Sequence, residues 1–351
     1  MTLPVRNLLL GEPESEELES NLWNDRFVSA VMRTNGQSAK VKVRYRGGHT
    51  RGYPKRSYEI VRAGRTFHYN AEFDDPSMIR NALSFYFLPT IGVPSPRAKH
   101  VMLYRNGEPL GVYLEIEGVG RRFFHSRGIG YSSLFYAVNN NADFGLRIPE
   151  TSRYKPTLLA GYEHRFGGAT EKGKLTAFIR GLNEKNGIAL KRFLEARLDI
   201  DNSLRWLAGA VLTGNYDGFE QNYAIYRHSK TGKFRIIPWD YEGTWGRNCY
   251  GKLVSSDLVD VTGYNYLSAK LLELPELRSR YRTILSKAIR GPFTESALMP
   301  KVHGMLGKIV GDLSLDPHRR QSRYELMGEA EVIRHYIRER RSIIASALQR
   351  L

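Results

Sequence analysis

The chain has 351 residues, of which 41% are hydrophobic, and a formal net charge of +17 at pH 7. Such a chain can bury a substantial core, as two lobes or as one large domain, and its charge favours polyanions, nucleotides or acidic surfaces as partners. The single cysteine, Cys249, excludes an intrachain disulfide and a cysteine-based zinc site. No segment has the apolar length of a secretory signal or of a membrane span, so we expect neither.

The first part of the chain is predicted to be rich in β-strands. Alternation of apolar and charged residues, which is typical of half-buried strands, covers 26–32 and 40–46, and a third strand is predicted over 56–62. The second segment runs into RGGHTRG, which combines three glycines with Arg46 and Arg51, and Lys55 follows it. Backbone N–H groups of such a loop can approach a phosphate, and arginine adds bidentate hydrogen bonds. We interpret the loop and Lys55 as candidate phosphate ligands; the alternative is an exposed basic hairpin tip.

A capped helix is predicted next. Asp75 as N-cap and Pro76 at the first position indicate a helix over 78–88. Arg80 lies in its first turns and opposes the helix dipole, so we expect its side chain to reach outward to an anion or a carboxylate. The alternative is an ordinary surface arginine.

Two further strands complete this region. Residues 99–104 and 110–116 form a predicted hairpin around Asn106-Gly107. We include Glu117, at its end, among the candidate nucleotide-binding residues. Three strands, a helix and two strands are the element order of the amino-terminal lobe of a protein kinase.

The rest of the chain is predicted to be mainly helical after an irregular connection over 118–170. The helices are expected at 172–182, 190–198, 202–213, 266–274, 275–290, 294–309 and 324–351. Residues 168–174 have the spacing of a P-loop, but Leu175 replaces its Ser/Thr and no apolar strand precedes it. We therefore interpret this segment as the approach to a helix.

Residues 214–246 contain several candidate catalytic and metal-binding residues close together in the sequence. Asp217 and Asn222 precede a predicted hairpin, whose strands cover 223–227 and 234–238, and Asp240 and Glu242 follow it. The hairpin is expected to bring its two acidic ends together. Carboxylate and amide oxygens are the ligands that hard divalent cations prefer, so we predict a site for Mg²⁺ or Mn²⁺. The alternative is that these residues only cap turns.

The order of these residues is that of protein kinases, in which Asp, Asn five residues later, a hairpin and a second Asp hold substrate and metal. The His-Arg before the catalytic Asp is replaced here by Asn215-Tyr216, and the Phe of Asp-Phe-Gly by Tyr241-Glu242. The order of these residues is therefore kinase-like, but the standard protein-kinase sequence motifs are absent.

Nearly the whole chain resembles the CotH kinase family of spore-coat proteins. Five segments carry the likeness in the family's order: VRYRGGHTRGYPKRSYEI, NAEFDDPSMIRNAL, NGEPLGVYLEIE, GNYDGFEQNYAIYR and FRIIPWDYEGTWGR. The resemblance implies an α+β, atypical kinase-like bilobal fold, with a β-rich N-lobe over 1–117 and a mainly helical C-lobe over 118–351.

The resemblance also implies roles for individual residues. Asp217 matches the catalytic Asp, and the matching metal positions are Asn222 and Asp240, with Glu242 standing where many members have Asp. Nucleotide-binding roles fall to Arg46, Arg51 and Lys55, with Arg80 and Glu117 as further candidates. Many members have two lysines where this chain has Lys55-Arg56, and we expect Lys55 to face the nucleotide.

The function implied is transfer of the γ-phosphoryl of ATP to Ser/Thr of spore coat proteins, with Mg²⁺ or Mn²⁺, in a coat assembled from the mother-cell cytoplasm. A non-catalytic basic scaffold of the coat is the alternative. The charge alone would allow nucleic-acid binding, but no nucleic-acid-binding motif is visible, so no nucleic-acid partner is expected.

Overall fold

The computed structural model describes residues 2–319 and 321–351. Its amino-terminal strands are β1 (Val5–Leu9), β2 (Val28–Thr34), β3 (Gln37–Arg46), β4 (Ser57–Arg62), β5 (Arg65–Asn70), β6 (Ala98–Arg105) and β7 (Glu108–Glu117). They close into a barrel in the order β1-β2-β3-β4-β5-β7-β6, in which β1 pairs with β6 in parallel and the other neighbours are antiparallel. The β-rich amino-terminal region is therefore confirmed.

The prediction missed two barrel strands because their buried positions are not all apolar. In β1, Val5 is exposed, whereas Arg6 is buried against Glu115 at 2.7 Å. In β5, His68 and Asn70 are buried polar residues, so no exposed polar face marks the strand. Polar or charged residues therefore occupy buried positions in both strands, and a search for apolar residues at alternate positions does not recognise them.

A second, four-stranded sheet lies in the part of the chain predicted to be irregular and in the central hairpin. Its strands are β8 (Ser133–Ala137), β9 (Tyr162–Phe166), β10 (Tyr223–Arg227) and β11 (Phe234–Pro238), in the order β11-β10-β8-β9. The predicted hairpin is confirmed as β10 and β11. The sheet supports the segments on both sides of that hairpin.

The helices are α1 (Glu12–Ser20), α2 (Arg80–Phe87), α3 (Arg121–His125), α4 (Ala169–Glu184), α5 (Gly187–Arg197), α6 (Ile200–Thr213), α7 (Tyr266–Glu273), α8 (Pro275–Arg290), α9 (Glu295–Ile309) and α10 (Arg323–Ala347). None of the helices in the described ranges is both long and apolar enough to cross a membrane. The predicted helical character of the carboxyl-terminal part is confirmed.

The start of α2 differs from the prediction. The carboxylate of Asp75 accepts hydrogen bonds from the backbone N–H groups of Ser77 and Arg80, at 2.9 and 3.0 Å. Met78 has a φ of +59°, in the left-handed region, so residues 75–79 form a turn and the helix begins at Arg80. Asp75 stabilises the turn before the helix rather than serving as its N-cap.

Two apolar clusters hold these elements together. One fills the barrel and includes Leu8, Val43 and Val101. The other joins α2 and the outer face of β7 to the second sheet and the later helices, with α6 almost wholly buried inside it. Because α2 belongs to the second cluster, the barrel is fastened to the helical part through an apolar contact.

Candidate active site

The register of the central hairpin places Asn222 and Asp240 at the same end of the second sheet. Tyr223 pairs with Pro238, and just beyond that pair the N–H of Trp239 donates to the carbonyl of Asn222 at 3.0 Å. Asn222 and Asp240 have φ values of +58° and +54°. These left-handed conformations turn the chain sharply where each strand ends, which is a kind of strain often found at functional sites.

Asp217 lies on the 3₁₀ turn Tyr216–Gly218, between α6 and the hairpin. Its two carboxylate oxygens accept hydrogen bonds from the side-chain amides of Gln221, at 2.6 Å, and Asn222, at 2.9 Å. The predicted pair of Asp217 and Asn222 is thus brought together directly. The two amide donors hold the carboxylate in one orientation, which suits a residue that receives a proton.

Asp240 lies in an environment that opposes its negative charge. Burial raises the pKa of its carboxyl group, the positive charge of Arg46 acts in the opposite direction, and the negative charge of Asp217 raises the pKa further. Its Oδ1 is buried and has no hydrogen-bond partner among the described residues. A buried acceptor without a partner is costly, and a bound cation would satisfy it.

Five predicted or newly found residues line one small cavity of about 50 Å³: Arg46, Lys55, Glu72, Asp240 and Glu242. This volume exceeds the ~10–15 Å³ needed by one water molecule, so the cavity has room for an ion and a few waters. A nucleotide is larger than this, and its phosphates would enter only if the cavity widened. Asp217 and Asn222 do not line the cavity, although Asp217 is close enough to influence Asp240.

Glu72 is the functional candidate that the sequence reasoning missed. Its side chain is buried, Oε1 accepts a hydrogen bond from Asn81 at 3.2 Å, and Oε2 has no partner among the described residues. Burial, and then the negative charge of Asp75, raise the pKa of Glu72 to about 8. The signal in the sequence was a third acidic residue close to Asp74 and Asp75, for which helix capping offered no role.

Glu242 completes the acidic side of the cavity. Burial raises the pKa of its carboxyl group well above the usual value, and the negative charges of Asp240 and Glu72 raise it further. Mutual repulsion of this kind is relieved by a divalent cation, so the donor set fits Mg²⁺ or Mn²⁺. Within the described residues, no three His, Cys, Asp or Glu side chains are already placed to hold a metal ion by themselves. The set suits a cation that takes one or two carboxylates and completes its shell with substrate phosphates and water, as Mg²⁺ does.

The chain that forms this site is similar in sequence to known proteins. The family model described as CotH kinase protein matches residues 43–344. Inner spore coat protein H of Bacillus subtilis (strain 168) is 36% identical over 345 residues, which is 96% of this chain and 95% of that protein. The chain belongs to the CotH kinase family. A second relative, inner spore coat protein H-like protein of the same strain, is 25% identical over 335 residues, 93% of this chain and 92% of that protein.

Solved structures give a weaker likeness to this CotH-family chain. The proinflammatory kinase CtkA of Helicobacter pylori aligns with a TM-score of 0.40 and 10% identity, over 88% of this chain and 94% of that one. A chain of the HipA, HipB and operator DNA complex of Shewanella oneidensis MR-1 aligns with a TM-score of 0.36 and 13% identity, over 98% of this chain and 73% of that one. Both scores are too low to establish a common fold.

The two loop arginines of the CotH-family chain have different surroundings. Arg46 lines the cavity, donates to the side-chain oxygen of Asn70 and lies 5.6 Å from the centroid of the Trp239 ring. Arg51 instead binds the carboxylate of Asp25 at 2.7 Å and the carbonyl of Gly47 at 2.8 Å. Arg51 therefore closes its own loop, and the structure places only Arg46 beside the acidic residues.

Lys55 and Arg56 point to opposite sides, as expected for neighbours at the start of a strand. Lys55 lines the cavity, but its ammonium group is buried and binds Asp316 at 2.6 Å and the carbonyl of Val112 at 2.5 Å. Arg56 reaches Glu19 at 3.1 Å on the outside of the barrel. Lys55 is thus the inward residue, with its charge already paired.

The expectation that Arg80 reaches a carboxylate is confirmed, but its side chain points into the protein and not outward. Its guanidinium group is fully buried and binds Asp75 at 2.5 Å, Glu329 at 2.8 Å and the carbonyl of Thr244 at 2.9 Å. Burying a guanidinium requires such complete pairing, and here the partners come from three separate segments. Arg80 does not line the cavity, and its bond to Thr244 supports the loop that carries Asp240 and Glu242.

Glu117 is also separated from the acidic cavity. Its carboxylate accepts a hydrogen bond from Arg127 at 2.7 Å and lines a different cavity, at one end of the barrel. The predicted residues that the structure brings together are therefore Asp217 with Asn222, and Arg46 and Lys55 with Asp240 and Glu242.

Proposed function

We propose that this CotH-family chain is an atypical protein kinase that transfers the γ-phosphoryl of ATP to Ser/Thr hydroxyls. The observation that carries the proposal is the arrangement around the hairpin. An amide-oriented carboxylate, Asp217, lies next to buried carboxylates whose repulsion calls for a cation. A scaffold without catalysis has no need of that arrangement.

In the proposed mechanism, Asp217 orients the substrate hydroxyl and accepts its proton as the hydroxyl oxygen attacks the γ-phosphorus. ADP leaves with the electron pair of the broken P–O bond. Phosphoryl transfer depends mostly on positioning and electrostatic stabilisation, so no covalent enzyme intermediate is required.

Asp240 and Asn222, with Glu242 and Glu72 nearby, would hold Mg²⁺ or Mn²⁺, which when bound neutralises charge on the phosphates. Arg46 supplies positive charge from the barrel side of the same cavity. Arg51 would contribute only if it left Asp25, and Lys55 only if its ion pair with Asp316 opened. We assign residues 1–117 to an amino-terminal kinase lobe and 118–351 to a carboxyl-terminal lobe.

The physiological substrates in this proposal are proteins of the spore coat, where the chain would itself be located. The names of both curated relatives contain "inner spore coat protein". The alternative is a basic coat scaffold without catalysis, which the charge of +17 would suit.

The test is metal-dependent transfer of labelled γ-phosphate from ATP to a Ser-rich coat protein by wild type, Asp217→Asn and Asp240→Asn. Wild type should transfer label only with Mg²⁺ or Mn²⁺, and Asp217→Asn should lose about 10²–10⁴-fold in rate while still binding ATP. Glu16→Gln, an exposed change on α1, is the matched control and should retain full activity. Undiminished transfer by Asp217→Asn would refute the assignment, and ATP binding without transfer by wild type would favour the scaffold.

A further inference from the structure

A second polar cavity, of about 380 Å³, lies at one end of the barrel. Residues of three strands line it: Arg65, Thr66 and Phe67 from β5, Ala98 and Lys99 from β6, and Glu115 and Glu117 from β7. The chain next to these strands adds Arg97, Arg121, Arg122 and Ser126. We call this cavity the barrel-end pocket.

The barrel-end pocket carries excess positive charge. Its cationic residues are Arg65, Arg97, Lys99, Arg121 and Arg122, and its acidic residues are Glu115 and Glu117. Both acids are already engaged: Glu115 binds Arg6 and Glu117 binds Arg127, each at 2.7 Å. The pocket therefore has a positive potential that its own carboxylates do not cancel.

The four arginines of the pocket are available to a ligand. All are exposed, and none forms an ion pair in the ranges 2–319 and 321–351. Arg121 rests on the ring of Phe166, 4.8 Å from its centroid, which leaves its N–H groups free to turn towards the pocket. By contrast, the ammonium group of Lys99 forms an ion pair with the carboxylate of Glu115 at 3.0 Å.

The pocket is separate from the candidate active site. The two cavities share no lining residue. Strand β5 contributes Arg65, Thr66 and Phe67, at its start, to the barrel-end pocket and Asn70, at its end, to the acidic cavity. A ligand in the pocket would leave the acidic cavity free.

We propose that the barrel-end pocket binds a phosphoserine or phosphothreonine side chain of a peptide, an inference that rests on the proposed kinase function. Arginine recognises the oxygens of a phosphate monoester by parallel, charge-assisted hydrogen bonds, for which a carboxylate offers fewer acceptors. The arginines stand at the exposed rim and not at a closed floor, so they suit a phosphate carried on a chain at the surface. A substrate with several hydroxyls would then stay docked through one phosphorylated residue while another enters the active site.

The experiment is fluorescence anisotropy with a labelled peptide that carries one phosphoserine, compared with the same peptide unphosphorylated. Wild type should bind the phosphopeptide at least tenfold more tightly. Arg121→Ala/Arg122→Ala should lose at least tenfold of that affinity, and so should Arg65→Ala/Arg97→Ala, which tests a different segment if the first variant folds poorly. Arg282→Ala/Lys287→Ala removes the same charge from exposed positions of α8 and should bind like wild type.

Equal binding of the two peptides, or equal losses in the pocket and α8 variants, would overturn the proposal. Competition by ATP without metal would also overturn it, because the pocket would then belong to the nucleotide site. The assay involves no turnover, so its outcome is independent of the proposed function. Transfer without phosphopeptide binding removes only the pocket proposal, whereas phosphopeptide binding without transfer removes only the kinase proposal.

Discussion

The ammonium group of Lys55 lies 2.6 Å from the carboxylate of Asp316, and the side chains are only 3% and 1% exposed. Val112 binds both partners, because its carbonyl accepts from Lys55 and its N–H donates to Asp316 at 3.0 Å. The pair ties the segment before α10 to the barrel. A lysine expected to serve phosphates is therefore, in this structure, part of the connection between distant parts of the chain.

Replacing one residue of this pair should lower the free energy of unfolding more than replacing both. Asp316→Ala leaves a buried ammonium group unpaired, and we expect the free energy of unfolding to fall by about 3–5 kcal/mol. Lys55→Met/Asp316→Leu removes both charges and should recover most of that loss. Urea denaturation of the single and double variants measures the difference; a double variant no more stable than Asp316→Ala would contradict the pairing.

A substitution at Gly111, on the barrel side, tests the position of Asp316 in this contact. Its φ is +102°, and a Cβ built on it lies 2.2 Å from Cγ of Asp316. Gly111→Ala should lose roughly 1–2 kcal/mol from the left-handed backbone and a further 1–3 kcal/mol from the clash. Gly36→Ala is the matched control, because Gly36 has a φ of +77° and no atom within 4 Å of the added Cβ. Equal losses in the two variants would show that Asp316 does not occupy the described position.

Glu72→Gln separates metal binding from stability. The change keeps the shape of a side chain whose Oε2 has no hydrogen-bond partner among the described residues, but an amide cannot lose a proton to become a carboxylate ligand. We expect at least a tenfold loss of Mn²⁺ affinity in the presence of a non-hydrolysable ATP analogue, in the range seen for residues that support metal sites. The free energy of unfolding should be unchanged or higher. Calorimetric titration and urea denaturation test the two expectations, and a large loss of stability would contradict the account of this cavity.

His100 should make the protein sensitive to acid. Burial lowers the pKa of His100 from 6.5 to about 4, against the hydrogen bond with the carbonyl of Met78 at 2.7 Å. The unfolded chain therefore binds the proton first as pH falls, so the stability contributed by the neutral ring is present above about pH 6.5 and is lost progressively down to about pH 4. From pH 7 to pH 5 the loss is about 2 kcal/mol, at 1.36 kcal/mol per pH unit below 6.5.

The check is urea denaturation at pH 7 and pH 5. His100→Gln keeps an N–H donor for Met78 but cannot titrate, so its loss between the two pH values should be smaller by about that amount. His303→Gln, on the exposed face of α9, should retain the wild-type pH dependence. An unchanged pH dependence in His100→Gln would contradict the prediction.

Local patterns were sufficient for much of the architecture. Alternation predicted β2 and β3, β4 was predicted after the glycine-rich loop, and turn residues predicted the hairpin of β6 and β7. The pattern of residues 214–246 predicted the hairpin that joins Asn222 to Asp240. These features are readable because each depends on neighbours within about ten residues. The pairing of Asp217 with Asn222 is of the same kind, since five positions separate the two residues.

Only the tertiary structure decided which charged residues face one another. The parallel pairing of β1 with β6, the inward turn of Arg80 to Glu329 and the pairing of Lys55 with Asp316 join segments far apart in the chain. Glu72 likewise becomes a site residue only through burial beside Asp240. The amino-acid sequence by itself determined the local elements and the order of the site residues. Burial and long-range ion pairing, which no local pattern encodes, decided which of those residues meet at the cavity and which hold the fold together.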